Sequence, residues 1–300
     1  MSLVATHGPG ADARPRRSVL YVPGSNAKAL AKARTLPCDG VILDLEDSVA
    51  PEAKEAARVA VVEAVAAGGW AGREVLVRVN ARGTPWFDED LAALARVGAD
   101  GLVLPKAESP DDVAAVVERL AMRGAPASLP LWLTIETPRG VLAAADLAGT
   151  RRSIRGLVAG TSDLTKDLRA RHVPGRAPLL HALSTIVLAA RAYGLAALDG
   201  VHLTLDDDEG FEASCRQGRD LGFDGRTLIH PRTIEAANRV FAPDAGEVQA
   251  ARRLLAGWRA ARADGKGVAV VEGRLVEELH AREAERLVAL AETIATRSAG

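Results

Sequence analysis

From Ser18 onward the chain alternates short β-like runs with helical stretches eight times over, which narrows the fold more than any other property of the sequence. The runs are Ser18 to Pro23, Gly40 to Glu46, Glu74 to Asn80, Gly101 to Lys106, Leu131 to Glu136, Ile154 to Ala159, Leu198 to Leu203 and Gly225 to His230. Between them lie Ala-, Leu-, Arg- and Glu-rich segments with helical periodicity, such as Glu52 to Val65, Asp111 to Met122 and Leu179 to Tyr193. Strands and helices in that order and number predict an α/β protein, a (β/α)8 TIM barrel. The competing doubly wound sheet usually has fewer strands and, for nucleotides, a glycine-rich first turn. Gly8-Pro-Gly10 follows no strand and does not supply one.

Beyond Val240 the pattern changes to a helix over Glu247 to Arg262, the turn Asp264-Gly-Lys-Gly267, a short apolar run from Val268 to Val271 and a last helix from about Glu277. This is no ninth barrel unit. The expected division is a disordered N-terminal tail over 1–16, a catalytic barrel over 17–242 and a C-terminal extension over 243–300. The extension either caps its own barrel or packs as a lid on a neighbouring subunit.

In a parallel barrel the C-terminal strand ends converge on one face, where such folds keep their chemistry. The predicted strand ends carry Asp44, Glu46, Asp47, Arg78, Asn80, Lys106, Glu136, Asp163, His202 and His230. So many acids beside two fixed cations, Arg78 and Lys106, repel unless a metal joins them. Glu136 and Asp163, each placed where an apolar run gives way to a turn, are the candidate ligands. Two carboxylates completed by water and substrate oxygens suit Mg2+, which rarely has a full protein cage. Arg78 sits between apolar neighbours in Val77-Arg-Val-Asn80 and requires an anion, either a substrate carboxylate held by the planar fork or Glu46 or Asp47 as a structural partner.

After the first run, Gly24-Ser-Asn26 leads into a helix with Lys28 and Lys32 one turn apart, an arrangement that either holds phosphates or is a solvated face. The acidic run Asp206 to Glu209 is expected to open a helix, where acids favour the dipole. A net charge of -1 leaves no electrostatic footprint for nucleic acid or an anionic membrane. Cys38 and Cys215 are isolated, the first sixteen residues lack an apolar signal core, and no apolar run is long enough to span a bilayer. The expected setting is cytoplasmic and the expected partner a small molecule.

Arg17-Ser-Val-Leu-Tyr-Val-Pro-Gly24, Ile42-Leu-Asp-Leu-Glu-Asp-Ser-Val49, Val77 to Asn80, Leu104-Pro-Lys106, Ile135-Glu-Thr137, Gly160-Thr-Ser-Asp-Leu164 and Ile229-His-Pro231 together resemble the CoA-ester lyases similar to the citrate lyase beta subunit, including malyl-CoA and citramalyl-CoA lyases. The likeness covers nearly the whole chain after Arg16. It implies a TIM-barrel subunit in a homotrimer or homohexamer, with Glu136 and Asp163 as Mg2+ ligands and Arg78 on the substrate oxygens. Tyr21, Lys28 and Lys32 match positions that contact the CoA ester, and Leu228, Ile229 and His230 resemble part of the CoA-binding rim. One departure stands out: the family's C-terminal Gly-x-Met-Ile-Asp reads Gly273-Arg-Leu-Val-Glu277 here, which keeps the carboxylate and lengthens it by a methylene. The resemblance leads to a Mg2+-dependent lyase that cleaves a 3-hydroxyacyl-CoA of malyl, methylmalyl or citramalyl type into an acyl-CoA and a 2-oxo acid. Its catalytic base is open among Glu46, Asp47 and Glu277. Malyl-CoA thioesterases are the nearest alternative, and a non-catalytic or complex-bound subunit serving an acyl carrier is the third.

Overall fold

The computed structural model describes residues 14–151 and 153–298. Eight parallel strands form a closed barrel in sequence order: β1 (Ser18–Pro23), β2 (Gly40–Asp44), β3 (Glu74–Arg78), β4 (Gly101–Leu104), β5 (Leu131–Ile135), β6 (Ile154–Ala159), β7 (Ala196–Asp199) and β8 (Gly225–Leu228), with β8 closing on β1. The chain is therefore a (β/α)8 barrel. The connecting helices are α1 (Ala27–Ala33), α2 (Lys54–Ala66), α3 (Phe87–Leu94), α4 (Pro110–Met122), α5 (Pro138–Leu142), α6 (Ala144–Gly149), α7 (Thr161–Asp167), α8 (Leu180–Ala192), α9 (Asp208–Leu221) and α10 (Ile234–Phe241). Several begin as their sequences dictate. Ser109 and Thr137 each cap a helix that opens with proline, and Asp207 accepts from the Gly210 amide at the start of α9.

Strand side chains alternate between two apolar layers. Val19, Ile42, Leu76, Val103, Trp132, Val158 and Leu198 fill the barrel interior, while Leu20, Val41, Leu43, Val75, Val77 and Leu133 face the helices. The same alternation carries the inward rows up to Tyr21, Asp44, Arg78 and Glu136. Polar groups thus appear at the top of strands whose lower positions are apolar. Gly156 makes this filling possible, since a Cβ there would collide with the Trp132 ring. At the other end Arg16 Nε lies 2.6 Å from Glu74 Oε2, and its guanidinium sits 5.1 Å from a Trp132 ring centroid. Of the expected tail, residues 1–13 lie outside the described residues, and Arg16 is anchored by these contacts.

The chain's contacts separate the barrel, Arg16–Phe241, from a second compact unit that includes Ala242 to the C-terminus. In that second unit α11 (Ala245–Ala263) and α12 (Glu278–Ser298) pack through Ala251, Leu255, Ala281 and Ala284. Asp244 starts α11 with a capping box, accepting from the Gly246 and Glu247 amides while Glu247 accepts from the Asp244 amide. Between the helices lies an antiparallel hairpin of β9 (Ala269–Val271) and β10 (Arg274–Val276), where the sequence predicted only the first run. Glu272 and Gly273 both have positive φ, 49° and 77°, the geometry of a two-residue hairpin turn.

Candidate active site

The inward rows of β1, β2, β3 and β5 place Tyr21, Asp44, Arg78 and Glu136 around the C-terminal mouth of the barrel. Strands β2 and β3 pair with Asp44 directly beside Arg78. The guanidinium fork closes on that neighbour: Nε donates to Asp44 Oδ1 at 2.7 Å and Nη2 to Oδ2 at 2.8 Å. The remaining nitrogen, Nη1, lies 2.8 Å from Glu46 Oε2 and 3.4 Å from Asp47 Oδ2, and the guanidinium carbon stands 4.8 Å from the Tyr21 ring centroid. Arg78 therefore has the carboxylate partners its position demanded. The one that takes its fork is Asp44, a strand-end acid that had no assigned role.

Asp44 also organises the loop that follows. Its Oδ1 accepts from the Glu46 amide at 3.0 Å, and its Oδ2 accepts from the Ser48 amide and hydroxyl at 3.1 and 2.5 Å. Glu46 is thereby turned inward and buried, 5% exposed, while Asp47 points outward. The Glu46–Arg78 contact is an ion pair without hydrogen-bonding geometry, so neither buried oxygen of Glu46 has a hydrogen-bond partner. Burial outweighs the nearby Arg78 and pushes the Glu46 carboxyl up to about 8.

Glu136 follows β5 and is buried. Its Oε1 accepts from the Lys106 amide at 2.7 Å, a donor aimed by the left-handed conformation of Lys106, φ 51°. Such backbone strain costs on the order of 1–3 kcal/mol and persists where surrounding structure fixes it. Gly160 gives the carboxylate its space, because a Cβ there would collide with Glu136 Cβ. Asp163 lies in the first turn of α7, and Lys106 Nζ stands 3.4 Å from Asp163 Oδ2 and 3.8 Å from Glu46 Oε1. Burial first, and Asp163 among the nearby charges, raise the Glu136 carboxyl to about 7, against the hydrogen bond from Lys106. A divalent cation between the two acids removes that repulsion. The donor set is oxygen, which fits Mg2+. Among the described residues no group of three or more His, Cys, Asp or Glu forms a metal cage. A cation held by Glu136 and Asp163 would need further ligands from outside this pair.

The other predicted residues fall into three places. Lys28 and Lys32 are exposed on α1, whose N-terminus is capped by Asn26. Leu228 is buried at the end of β8, whereas Ile229 and His230 are exposed just beyond it, with His230 Nδ1 accepting from the Arg232 amide. Glu277 belongs to the C-terminal unit, exposed at the start of α12, where its amide donates to His280 Nδ1 and its carbonyl accepts from the His280 and Ala281 amides. Two further strand-end residues have local partners: Asn80 Nδ2 donates to Asp90 at 2.7 Å, and His202 Nε2 lies 3.6 Å from Asp207. The acidic run Asp206 to Glu209 opens α9 as expected, and Asp206 and Asp208 pair with Arg232. No described helix is long and apolar enough to cross a membrane.

Comparison with known proteins agrees with the barrel fold. The chain is 44% identical over 283 residues, 94% of its length and 97% of the relative's, to the (3S)-malyl-CoA thioesterase of Cereibacter sphaeroides. It is 36% identical over 269 residues, 88% of its length and 89% of the relative's, to the citrate lyase subunit beta of Escherichia coli. Among solved structures it resembles CitE from Mycobacterium tuberculosis in complex with magnesium, acetoacetate and coenzyme A, with a TM-score of 0.74, 35% identity and coverage of 93% of this chain and 99% of that one. Residues 17–231, which take in every barrel residue described above from Tyr21 to His230, match the HpcH/HpaI aldolase/citrate lyase family, and the chain belongs to it.

Proposed function

We propose that the chain is a magnesium-dependent enzyme acting on malyl-CoA-type esters, with water as second substrate, so that the thioester bond is hydrolysed to a free hydroxydiacid and CoA. The whole-length likeness to a (3S)-malyl-CoA thioesterase carries this choice of bond. Bound at Glu136 and Asp163, magnesium supplies a Lewis acid that polarises the substrate oxygens it touches. Arg78, fixed by Asp44, presents a pre-oriented positive charge to the substrate's developing negative charge. Glu46 is favoured over Asp47 as the acid–base group, being buried and close to neutral pH in its proton affinity.

A second reading, carbon–carbon cleavage to an acyl-CoA and a 2-oxo acid, is favoured by the likeness to citrate lyase subunit beta. In that reaction the base removes the substrate hydroxyl proton, a carbonyl forms as the carbon–carbon bond breaks, and the released enolate takes up a proton. Products separate the two. Purified chain, Mg2+ and malyl-CoA are expected to yield free thiol and malate in equal amounts; glyoxylate with acetyl-CoA and no free thiol would make the lyase reading correct. Absence of turnover on every free CoA ester would favour the complex-bound subunit instead.

Lys28 and Lys32 are proposed to hold the CoA phosphates, with Tyr21, Ile229 and His230 beside the ester and its carrier. Lys28→Ala with Lys32→Ala is expected to raise the KM for CoA esters about tenfold at low salt and to flatten its salt dependence, since exposed phosphate contacts are screened. An unchanged KM at both salt concentrations would remove the role.

Glu277 is proposed to bring a carboxylate to the active site of a neighbouring subunit in a trimer or hexamer. Glu277→Gln and Arg78→Ala, each inactive alone, are then expected to recover part of the activity when mixed, because a hybrid interface pairs an intact barrel with an intact tail. Free subunit exchange without any recovery would refute the shared site.

A further inference from the structure

Lys54 is a buried cation outside every role given so far. It is 6% exposed at the first residue of α2, and its side-chain hydrogen bonds go to the loop that carries the site's acids. Its Nζ donates to the Leu45 carbonyl at 2.8 Å and to the Glu46 carbonyl at 2.6 Å. The same ammonium stands 5.3 Å from the Trp86 ring centroid, a position that supplies cation–π attraction on its remaining side. Burial lowers its proton affinity, against the pull of Asp44, Glu46 and Asp47.

We propose that Lys54 is a positioning residue, whose ammonium clamps the two peptide carbonyls that turn Glu46 toward Arg78. The loop needs a clamp from this side. Asp44 holds the Glu46 amide from below, and the Val49 amide donates to the Glu46 carbonyl at 3.0 Å, but the Glu46 side chain itself has no hydrogen-bond partner to fix its direction. Apart from its ion pair with Arg78, its orientation is inherited from the backbone, and Lys54 holds that backbone at both flanking peptides. Because a carboxylate that works in proton transfer must sit within hydrogen-bond reach of its target, loss of the clamp weakens catalysis without touching substrate or metal. This rests on Glu46 being the acid–base group.

The test is a double-mutant cycle in the full chain with Mg2+ and malyl-CoA. Lys54→Met is expected to lower kcat about 10–100-fold, the range for outer partners of a reactive group, with the KM for the ester and the Mg2+ affinity unchanged. In a Glu46→Gln background the same substitution is expected to change kcat less than about twofold, because the residue it positions is already disabled. Equal fold losses in both backgrounds, or full activity of Glu46→Gln, would overturn the proposal. Lys54→Gln, whose amide keeps two N–H donors but no charge, serves if the Met variant does not fold, and its kcat is expected to fall between those of the parent and the Met variant. Urea unfolding of the same four proteins needs no substrate: non-additive midpoints keep the coupling even if no CoA ester is turned over, a result that would sink only the proposed function, whereas additive midpoints in that case overturn the clamp.

Discussion

Glu136→Gln and Asp163→Asn are each expected to reduce Mg2+-dependent turnover by about 100-fold or more, the loss typical of removing one strong electrostatic stabiliser from a preorganised site. Both substitutions keep shape and remove charge. In Glu136→Gln the amide oxygen still accepts the hydrogen bond that the Lys106 N–H gives to Glu136 Oε1, so the barrel mouth retains its backbone geometry. Stability is expected to hold or rise slightly, since the buried Glu136 carboxyl is already raised to about 7 and a neutral amide relieves the burial of charge. Magnesium binding, followed by calorimetry without substrate, is expected to weaken in step with activity. Near-normal rates at saturating Mg2+ in either variant would show that these two residues do not hold the metal.

The barrel was legible because its signal is repeated: eight apolar runs with helical spacers leave few alternatives, and every predicted barrel strand except the seventh starts at the residue the structure gives. Where the prediction slipped, the causes are local. The seventh strand was expected over Leu198 to Leu203 but spans Ala196–Asp199, since α8 ends at Ala192, Gly194 turns the chain with φ 66°, and the strand then starts on alanines, which carry little β preference. The run expected to reach His202 instead leaves the sheet after Asp199. Strand β10 was hidden because Arg274-Leu-Val is too short to show alternation, and only the turn at Glu272-Gly273 pointed to a hairpin.

The site was legible to the extent that it follows strand ends. Glu46, Arg78, Lys106, Glu136 and Asp163 lie close enough to act on one another's charge. What the sequence could not convey was who faces whom. Asp44 and Glu46 both point inward, two residues apart, and both meet Arg78; which one takes the fork depends on the register between β2 and β3, which pairs Asp44 with Arg78 and leaves Glu46 to the remaining nitrogen. Lys54 was passed over for a related reason. In sequence it is one more lysine opening a helix, and its burial arises only when the loop after β2 folds back over it. The detectable hint was a cation just after Pro51 in a helix whose first turn otherwise favours acids.

The Arg78–Asp44 pair gives the second large effect, on the fold itself. Asp44→Asn removes the charge that takes the buried Arg78 fork and leaves the guanidinium only Glu46 and the exposed Asp47 as anions, a change expected to destabilise by about 3–5 kcal/mol in urea unfolding. Burial by itself would raise the Asp44 carboxyl, but hydrogen bonds from Arg78 and Ser48 hold it below its ordinary value. Its stabilisation is therefore complete above the unfolded carboxylate range, about pH 4, and disappears as pH falls through the lower folded value. Glu46 has the opposite sign. With its folded value at about 8, it favours the folded state at low pH and withdraws that support as pH rises from about 4.5 to 8, because the unfolded chain then ionises more readily. Metal-free Glu46→Gln is thus expected to unfold at higher urea than the metal-free parent at about pH 8 and at nearly equal urea at about pH 4, while its turnover with Mg2+ added is lost. Stability gained where activity is lost is what a strained functional acid produces. Equal midpoints at both pH values would mean that Arg78 fully compensates the buried charge, and that Glu46 serves as a structural anion in a three-membered cluster with Asp44.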